Sequence, residues 1–146
     1  MLKRLLFQTD NNIVSFIIRV MVAIVIFPHG AQKLLGWFGG QGFSGTMEFF
    51  TKGGTPAILA FLVIITESVG SLLLLLGFTT RIWAGLLTVI MLVAMKMHAG
   101  NGFFMNWFGQ QSGEGFEYHL LVLAITVSLL IAGAGRWSVD RAIFKK

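Results

Sequence analysis

Four long apolar stretches, separated by polar or glycine-rich segments, dominate the hydrophobic pattern of the chain. They cover residues 13–35, 57–77, 81–97 and 117–134. An α-helix rises about 1.5 Å per residue, so most of these stretches can cross a hydrocarbon core about 30 Å thick. The pattern therefore predicts an all-α integral membrane protein, built as a four-helix bundle in a single domain over residues 1–146.

Two long loops, at residues 36–56 and 100–116, are rich in glycine and aromatic residues. Within the first loop, Phe43, Met47 and Phe50 recur at helical spacing. This spacing predicts a short helix that lies in the membrane interface.

Composition and charge narrow the class of protein. Hydrophobic residues make up 55% of the chain and charged residues 12%, and the mean hydropathy is +0.81. Soluble domains carry about 25% charged residues, so this balance is that of a membrane protein whose partner is the lipid bilayer. Cysteine is absent, which excludes disulfides, a thiol relay and cysteine metal ligands. The net charge of +5 comes from basic residues that flank apolar stretches, so we expect no nucleic-acid partner.

Lysine and arginine are divided unevenly between the two ends of the predicted spans. Because basic residues are enriched in cytoplasmic segments, we expect the N- and C-termini in the cytoplasm and the two long loops outside. The basic tail is expected to form a short surface helix after Ser138. Seven basic residues lie on the side of the termini (Lys3, Arg4, Arg81, Arg136, Arg141, Lys145 and Lys146) and three on the side of the loops (Lys33, Lys52 and Lys96).

Glu67 is a charged residue near the middle of the second apolar stretch. A charge at the centre of a bilayer costs about 2.5–3.5 kcal/mol on insertion scales. A proton, a cationic partner or a wet cavity must offset that cost. Gly70 lies on the same helix face and is small enough to let a neighbouring helix approach closely.

Arg19 is the leading candidate for the partner of Glu67. With the termini inside, Arg19 lies about 9 Å from the inner surface and Glu67 about 15 Å from the outer surface. Their heights then differ by about 6 Å, which an arginine side chain can span. We therefore expect a buried Arg19–Glu67 pair, which either serves the function or only locks the first two spans together.

Further polar residues lie at the outer ends of the predicted spans, above Glu67. Lys33 and Glu117 have an alternative interpretation, because such side chains can extend to the interface. His119, about 200° around the helix from Glu117, is equally well placed for the interface. The candidate binding pocket consists of Arg19, His29, Lys33, Glu67, His98 and Glu117.

The three histidines raise the question of a metal or haem site. They form no ligand-spaced pair within one helix, and cysteine is absent. We therefore expect no metal site and no haem. A Ser-His-Asp arrangement, a phosphate loop and a dinucleotide fingerprint are also missing from the sequence, and no catalytic residue is assigned.

Several separated motifs together resemble the DoxX family of small bacterial membrane proteins, and the resemblance extends from Ile13 to Ala142. The motifs are Arg19, His29-Gly30-x-x-Lys33, Glu67-x-x-Gly70, Gly77-x-x-Thr80-Arg81, Gly102-Phe103-Phe104 with Glu117-Tyr118, and Gly133-x-Gly135-x-x-Ser138-x-Asp140.

The resemblance implies a four-helix protein of the bacterial inner membrane in a quinone or redox neighbourhood. Family members are similar to a subunit of a thiosulfate:quinone oxidoreductase, and others are associated with quinone or catechol stress. We expect Arg81, Gly70 and Asp140 to serve structure and topology. Carried over onto matching positions, the candidate functional residues are Arg19, His29, Lys33, Glu67, Arg81 and Glu117.

Three functions are compatible with these features. The first is a membrane subunit that binds a quinone near Glu67, with a partner oxidoreductase for the redox step because the chain carries no electron carrier. The second is a non-catalytic scaffold that anchors a partner oxidoreductase through the long loops. The third is a small transporter, for which four spans would require a homo-oligomer.

Overall fold

The computed structural model describes residues 2–145, and over that range the chain contains helices and no β-strand. The all-α prediction is confirmed. Lys146, counted above on the side of the termini, lies outside the described residues, as does the side chain of Lys145. The helices are α1 (Leu2–Phe7), α2 (Ile13–Leu35), α3 (Gly42–Lys52), α4 (Ala57–Ile65), α5 (Ser71–Leu76), α6 (Thr80–His98), α7 (Glu117–Ala132) and α8 (Val139–Lys145).

The second apolar stretch forms one continuous helical rod with an irregular centre. Helix α4 leads into a π-helical segment, Thr66–Gly70, which leads directly into α5. In a π-helix each N–H donates to the carbonyl oxygen five residues earlier in the chain, one residue further back than in an α-helix, and such turns frequently mark functional sites. Glu67 lies within this π segment.

Local sequence explains several helix ends. The Asn12 side chain caps α2, because its Oδ1 accepts a hydrogen bond from the Val14 N–H at 2.8 Å. Gly77 ends α5 in a left-handed conformation, with φ 67°, which glycine adopts at low cost. Helix α7 ends at Ala132, two residues before the predicted end of the fourth stretch, because Gly133 takes a φ of 77° that a helix cannot contain.

Helix α2 lies at the centre of the packing. It contacts α3, the π segment, α5 and α7, while α6 packs along α7. Side chains from four helices meet in a common hydrophobic core, which consists of Val22, Ala23, Ile26, Leu74, Ala84, Leu87, Met91, Val122 and Leu129.

The outer surfaces of the long helices are apolar, as lipid contact requires. Met21, Val89 and Ile131 are examples, and Ile131 is 74% exposed. Soluble proteins rarely expose apolar patches on this scale.

With 16 residues, α7 is the shortest of the long apolar helices. Among the residues that the structure describes, three helical runs are long and apolar enough to cross a membrane, namely Ile13–Leu35, Ala57–Leu76 and Thr80–Asn101.

The C-terminal segment is tied to the start of α6 through Asp140, which is 1% exposed. Its carboxylate accepts hydrogen bonds from the backbone N–H groups of Thr79 at 2.6 Å and Thr80 at 2.9 Å, where the helix dipole favours an anion. Burial raises the pKa of Asp140, while the hydrogen bonds from Thr80 and Thr79 and the charge of Arg19 act in the opposite direction. The short helix expected after Ser138 is therefore present as α8. It does not lie purely on the surface, because the buried Asp140 carboxylate anchors it to the start of α6.

Candidate functional site

Arg19 does not pair with Glu67, so the predicted Arg19–Glu67 ion pair is wrong. The Arg19 side chain is fully buried, and its guanidinium donates hydrogen bonds only to backbone carbonyl oxygens. The acceptors are Leu74 at 2.9 Å, Leu75, Ala134 at 3.0 Å, Arg136 at 3.4 Å and Trp137 at 3.2 Å.

The end of α5 explains this orientation of Arg19. The last carbonyl groups of a helix lack partners within the helix and carry the negative end of its dipole. Arg19 donates to two carbonyls in the last turn of α5 and to three in the segment that leads to α8. We call this set of contacts the carbonyl clamp. These carbonyl groups compete with Glu67 for the guanidinium, and the heights of the two charges in the membrane do not account for them.

Arg81 and Gly70 also lie away from the candidate pocket. The Arg81 Nη2 donates to the carbonyl oxygens of Gln8 at 3.2 Å and Ile131 at 2.9 Å, so it connects the start of α6 to the ends of α1 and α7. A Cβ atom on Gly70 would overlap the indole ring of Trp83. Glycine at this position therefore allows α6 to pack closely against the π segment.

Glu67 pairs with Lys33 instead of Arg19. The Lys33 Nζ lies 2.5 Å from the Glu67 Oε2, with the glutamate buried and the lysine partly exposed. A buried carboxylate needs a charged or hydrogen-bonding partner, and the long lysine side chain can reach it from the end of α2. Gly30 makes this approach possible, because a Cβ there would overlap the backbone of Glu67 and Ser68.

A cavity of about 300 Å³ adjoins the Lys33–Glu67 pair. It lies between α2, α6, α7 and the second long loop. Its volume is at the lower end of the range for small-molecule sites, about 300–1,000 Å³. Ile26, Ile90 and Met91 form apolar walls. The polar side chains that line it include His29, Lys33, Glu67, His98, Tyr118 and His119.

Two histidines face each other where α6 meets α7. The ring centroids of His98 and His119 are 4.9 Å apart, with 31° between the ring planes. The His98 Nδ1 lies 2.8 Å from the Ala94 carbonyl oxygen, so this nitrogen fits the role of hydrogen-bond donor. His119 is 7% exposed, and its Nδ1 has no hydrogen-bond partner among the described residues.

Tyr118 adds a third polar ring to the same wall. Its centroid lies 5.8 Å from that of His119 and 6.4 Å from that of His29. Its hydroxyl group is buried, and no described residue is its hydrogen-bond partner. Tyr118 and His119 are not among the six residues predicted from the sequence to line the pocket. The sequence signal that could have identified His119 is its position on the opposite side of α7 from Glu117, which does not line the cavity.

Glu117 organises the loop above the cavity and does not line it. Its Oε1 accepts hydrogen bonds at 3.0 Å from the Met105 N–H and from the Trp107 Nε1. Met105 and Glu114 of this loop reach the cavity. Glu117 therefore affects the cavity only through the loop that it holds.

The structure brings four of the six predicted pocket residues together and leaves Arg19 and Glu117 outside. Within residues 2–145, no group of three or more His, Cys, Asp or Glu side chains is arranged to hold a metal ion. The cavity combines an ion pair, imidazole and phenol groups and apolar walls. Such groups can hydrogen-bond a small ligand and exchange protons with it. The four predicted pocket residues that do line the cavity are His29, Lys33, Glu67 and His98.

Comparison with known proteins identifies relatives along most of the chain. The family model DoxX matches residues 14–107. The chain is 27% identical over 137 residues to "Putative oxidoreductase CatD" of Bacillus subtilis (strain 168), covering 90% of this chain and 87% of that protein. It is 31% identical over 134 residues to "Inner membrane protein YqjF" of Escherichia coli (strain K12), covering 87% and 93%. No solved structure matches the chain significantly.

Proposed function

The chain belongs to the DoxX family of membrane proteins, and on that premise we propose that it is a multi-pass subunit that binds a quinone in the cavity beside Glu67. In this proposal α2, the rod formed by α4 and α5, α6 and α7 cross the inner membrane as a four-helix bundle, with both termini in the cytoplasm. The apolar outer faces and the excess of basic residues beside the termini support it, as does a relative named as an inner membrane protein.

The Lys33–Glu67 pair beside the apolar walls of the cavity is the observation that carries the proposal. A quinone head group needs hydrogen-bond donors at its carbonyl oxygens and a proton source beside an apolar surface. Lys33 supplies a donor, Glu67 can accept or deliver a proton, and Ile26 and Ile90 supply apolar contact. A volume of about 300 Å³ suits the head group, while an isoprenoid tail would extend into lipid.

Electrons must come from outside the chain in this proposal. None of the side chains at the cavity is a redox carrier, so quinone turnover needs a partner oxidoreductase or another cofactor. The B. subtilis relative with an oxidoreductase name supports a redox context for the family. The residues of this chain would bind the head group, orient it and handle protons.

Quinone binding by the purified protein tests the proposal. A short-chain benzoquinone, titrated into the wild type in detergent and followed by calorimetry, should bind at one site. Glu67→Gln should weaken binding about tenfold or more, because it removes the proton acceptor and leaves the Lys33 ammonium unpaired.

Glu48→Gln is the matched control for Glu67→Gln. It breaks an ion pair with the same 2.5 Å separation, between Lys52 and Glu48, that is exposed on α3. This variant should bind the quinone like the wild type. Absence of binding by the wild type would end the proposal.

A scaffold for a partner oxidoreductase is the second candidate function. The loop held by Glu117 exposes four large aromatic side chains, Phe103, Phe104, Trp107 and Phe108, and Phe108 is 88% exposed. Aromatic residues are enriched at protein–protein interfaces. If this loop docks a partner, crosslinking in native membranes should recover an enzyme whose activity survives Glu67→Gln. Loss of that activity in Glu67→Gln would favour the quinone site instead.

A further inference from the structure

Two residues in the first turn of α7 line the cavity, and each carries a buried polar atom that has no hydrogen-bond partner among the described residues. The two atoms are the Tyr118 hydroxyl oxygen and the His119 Nδ1. Buried polar groups in proteins are almost always hydrogen-bonded, because an unmade hydrogen bond there is unfavourable. A ligand that supplies partners to both atoms would satisfy them together.

Two of the ionised groups at the cavity, Lys33 and Glu67, neutralise each other. Lys33 and Glu67 are in direct contact at 2.5 Å. Glu114 lies at the exposed side, where its Oε2 accepts a hydrogen bond from the Asn106 N–H at 2.8 Å. An anionic ligand would lose its hydration without meeting an uncompensated cation, so the cavity favours a neutral ligand over an anionic one.

Ring surfaces and apolar side chains form the rest of the wall. The imidazoles of His98 and His119 are tilted by 31° from each other, with their centroids 4.9 Å apart. Tyr118 meets His119 edge-on, at 79°. The aliphatic side chains of Ile26 and Ile90 also line the cavity. Such a wall makes its best contacts with a flat, unsaturated ring.

We propose that Tyr118 and His119 are further hydrogen-bonding contacts of the ligand, in addition to Lys33, and that the ligand is an uncharged planar ring with oxygen substituents. This inference rests on the proposed quinone site and specifies its contacts. The Tyr118 hydroxyl group and the His119 Nδ1 bind ring oxygens, while Lys33 donates to the same ring and keeps its contact with Glu67. The neutral quinone and quinol forms fit this description, and a ring carrying a carboxylate does not.

Two substitutions that each remove one of the two polar atoms test the contacts. Tyr118→Phe and His119→Leu should each weaken binding of the short-chain benzoquinone about tenfold. His119→Asn keeps a polar atom near the position of Nδ1, so it should recover most of the affinity lost in His119→Leu. Thermal unfolding in the same detergent identifies any variant that has lost its fold.

Thr66→Val is the matched control for this series. The Thr66 hydroxyl is also buried and has no partner among the described residues, but Thr66 is not among the residues that line the cavity. Valine has nearly the same shape, so this variant should bind the quinone within twofold of the wild type.

A pair of ring probes tests the preference for a neutral ligand. Hydroquinone, kept anaerobic, and 4-hydroxybenzoate have similar shapes and differ in charge. In competition with the short-chain benzoquinone, hydroquinone should bind at least tenfold more tightly. Equal or tighter binding of 4-hydroxybenzoate would overturn the proposed charge preference.

The outcomes separate this inference from the proposed function. If the wild type binds the quinone and both Tyr118→Phe and His119→Leu, still folded, bind within twofold of it, the assigned contacts are wrong and the quinone site stands. If the wild type does not bind, both the site and its contacts are wrong. Loss of binding in the two variants, with recovery in His119→Asn, supports the inference.

Discussion

Arg19→Leu is expected to destabilise the protein by about 3–5 kcal/mol, the usual cost of removing one side of a buried charged network. Five carbonyl oxygens accept hydrogen bonds from Arg19, and leucine would leave them without that donor in a buried site. Each buried acceptor left unsatisfied costs about 1–3 kcal/mol before relaxation. Total stabilities of about 5–15 kcal/mol are typical, so a large drop in the unfolding midpoint, followed by circular dichroism in detergent, is expected.

Arg136→Gln is the control for the carbonyl clamp. Arg136 lies in the same segment but is exposed, and its guanidinium lies 4.5 Å from the centroid of the Trp137 ring. An exposed cation–π contact contributes about 0.5–1 kcal/mol, so the unfolding midpoint should change little. An unfolding midpoint of Arg19→Leu within 2 °C of the wild type would correspond to a loss of stability on the order of 1 kcal/mol or less. That result would contradict a structural role of the clamp.

Gly30→Ala is expected to have the second largest effect. A methyl group at this position would overlap backbone atoms of Glu67 and Ser68, and backbone cannot move aside as a flexible side chain can. Overpacking of a core costs about 1–3 kcal/mol and occasionally more. Because α2 and the π segment would separate, the Lys33–Glu67 pair should also loosen. Both the unfolding midpoint and the affinity for the short-chain benzoquinone should therefore fall.

Gly100→Ala is the matched control for Gly30→Ala. No atom lies within 4 Å of a Cβ built on Gly100, and its backbone is not in the left-handed region. This substitution should leave stability and binding unchanged. Equal effects of the two substitutions would indicate that the close contact between α2 and the π segment is not what Gly30 maintains.

The helices were largely predictable, because the sequence features that start, continue and end a helix act on neighbouring residues in the chain. Apolar stretches of bilayer length, Asn12 as a cap and Gly77 as a stop act on their own neighbours in sequence. The end of α7 was predicted two residues late, because an apolar pattern does not reveal the positive φ of Gly133. The π segment around Glu67 was not predicted at all, since its hydrogen-bond shift leaves no pattern in residue type.

The partners of the buried charges were only partly predictable. The sequence indicated that Glu67 needs a partner, and the resemblance included both Lys33 and Arg19. The similar heights of Arg19 and Glu67 in the membrane favoured Arg19, but height does not account for uncharged acceptors such as backbone carbonyl oxygens. In the fold, the carbonyl oxygens at the end of α5 compete for the guanidinium and bind it, and Lys33 reaches Glu67.

Sequence alone determined the membrane class, the helices and the need to compensate Glu67, because hydropathy, capping and the cost of a buried charge depend on residue type and spacing. Tertiary structure alone decided which cation meets Glu67, and that Tyr118 and His119 line the cavity while Glu117 holds the loop above it. These outcomes depend on how α2, α6 and α7 are rotated against one another. That rotation is set by the packing of the whole core, including the close contact at Gly30, and not by any single segment.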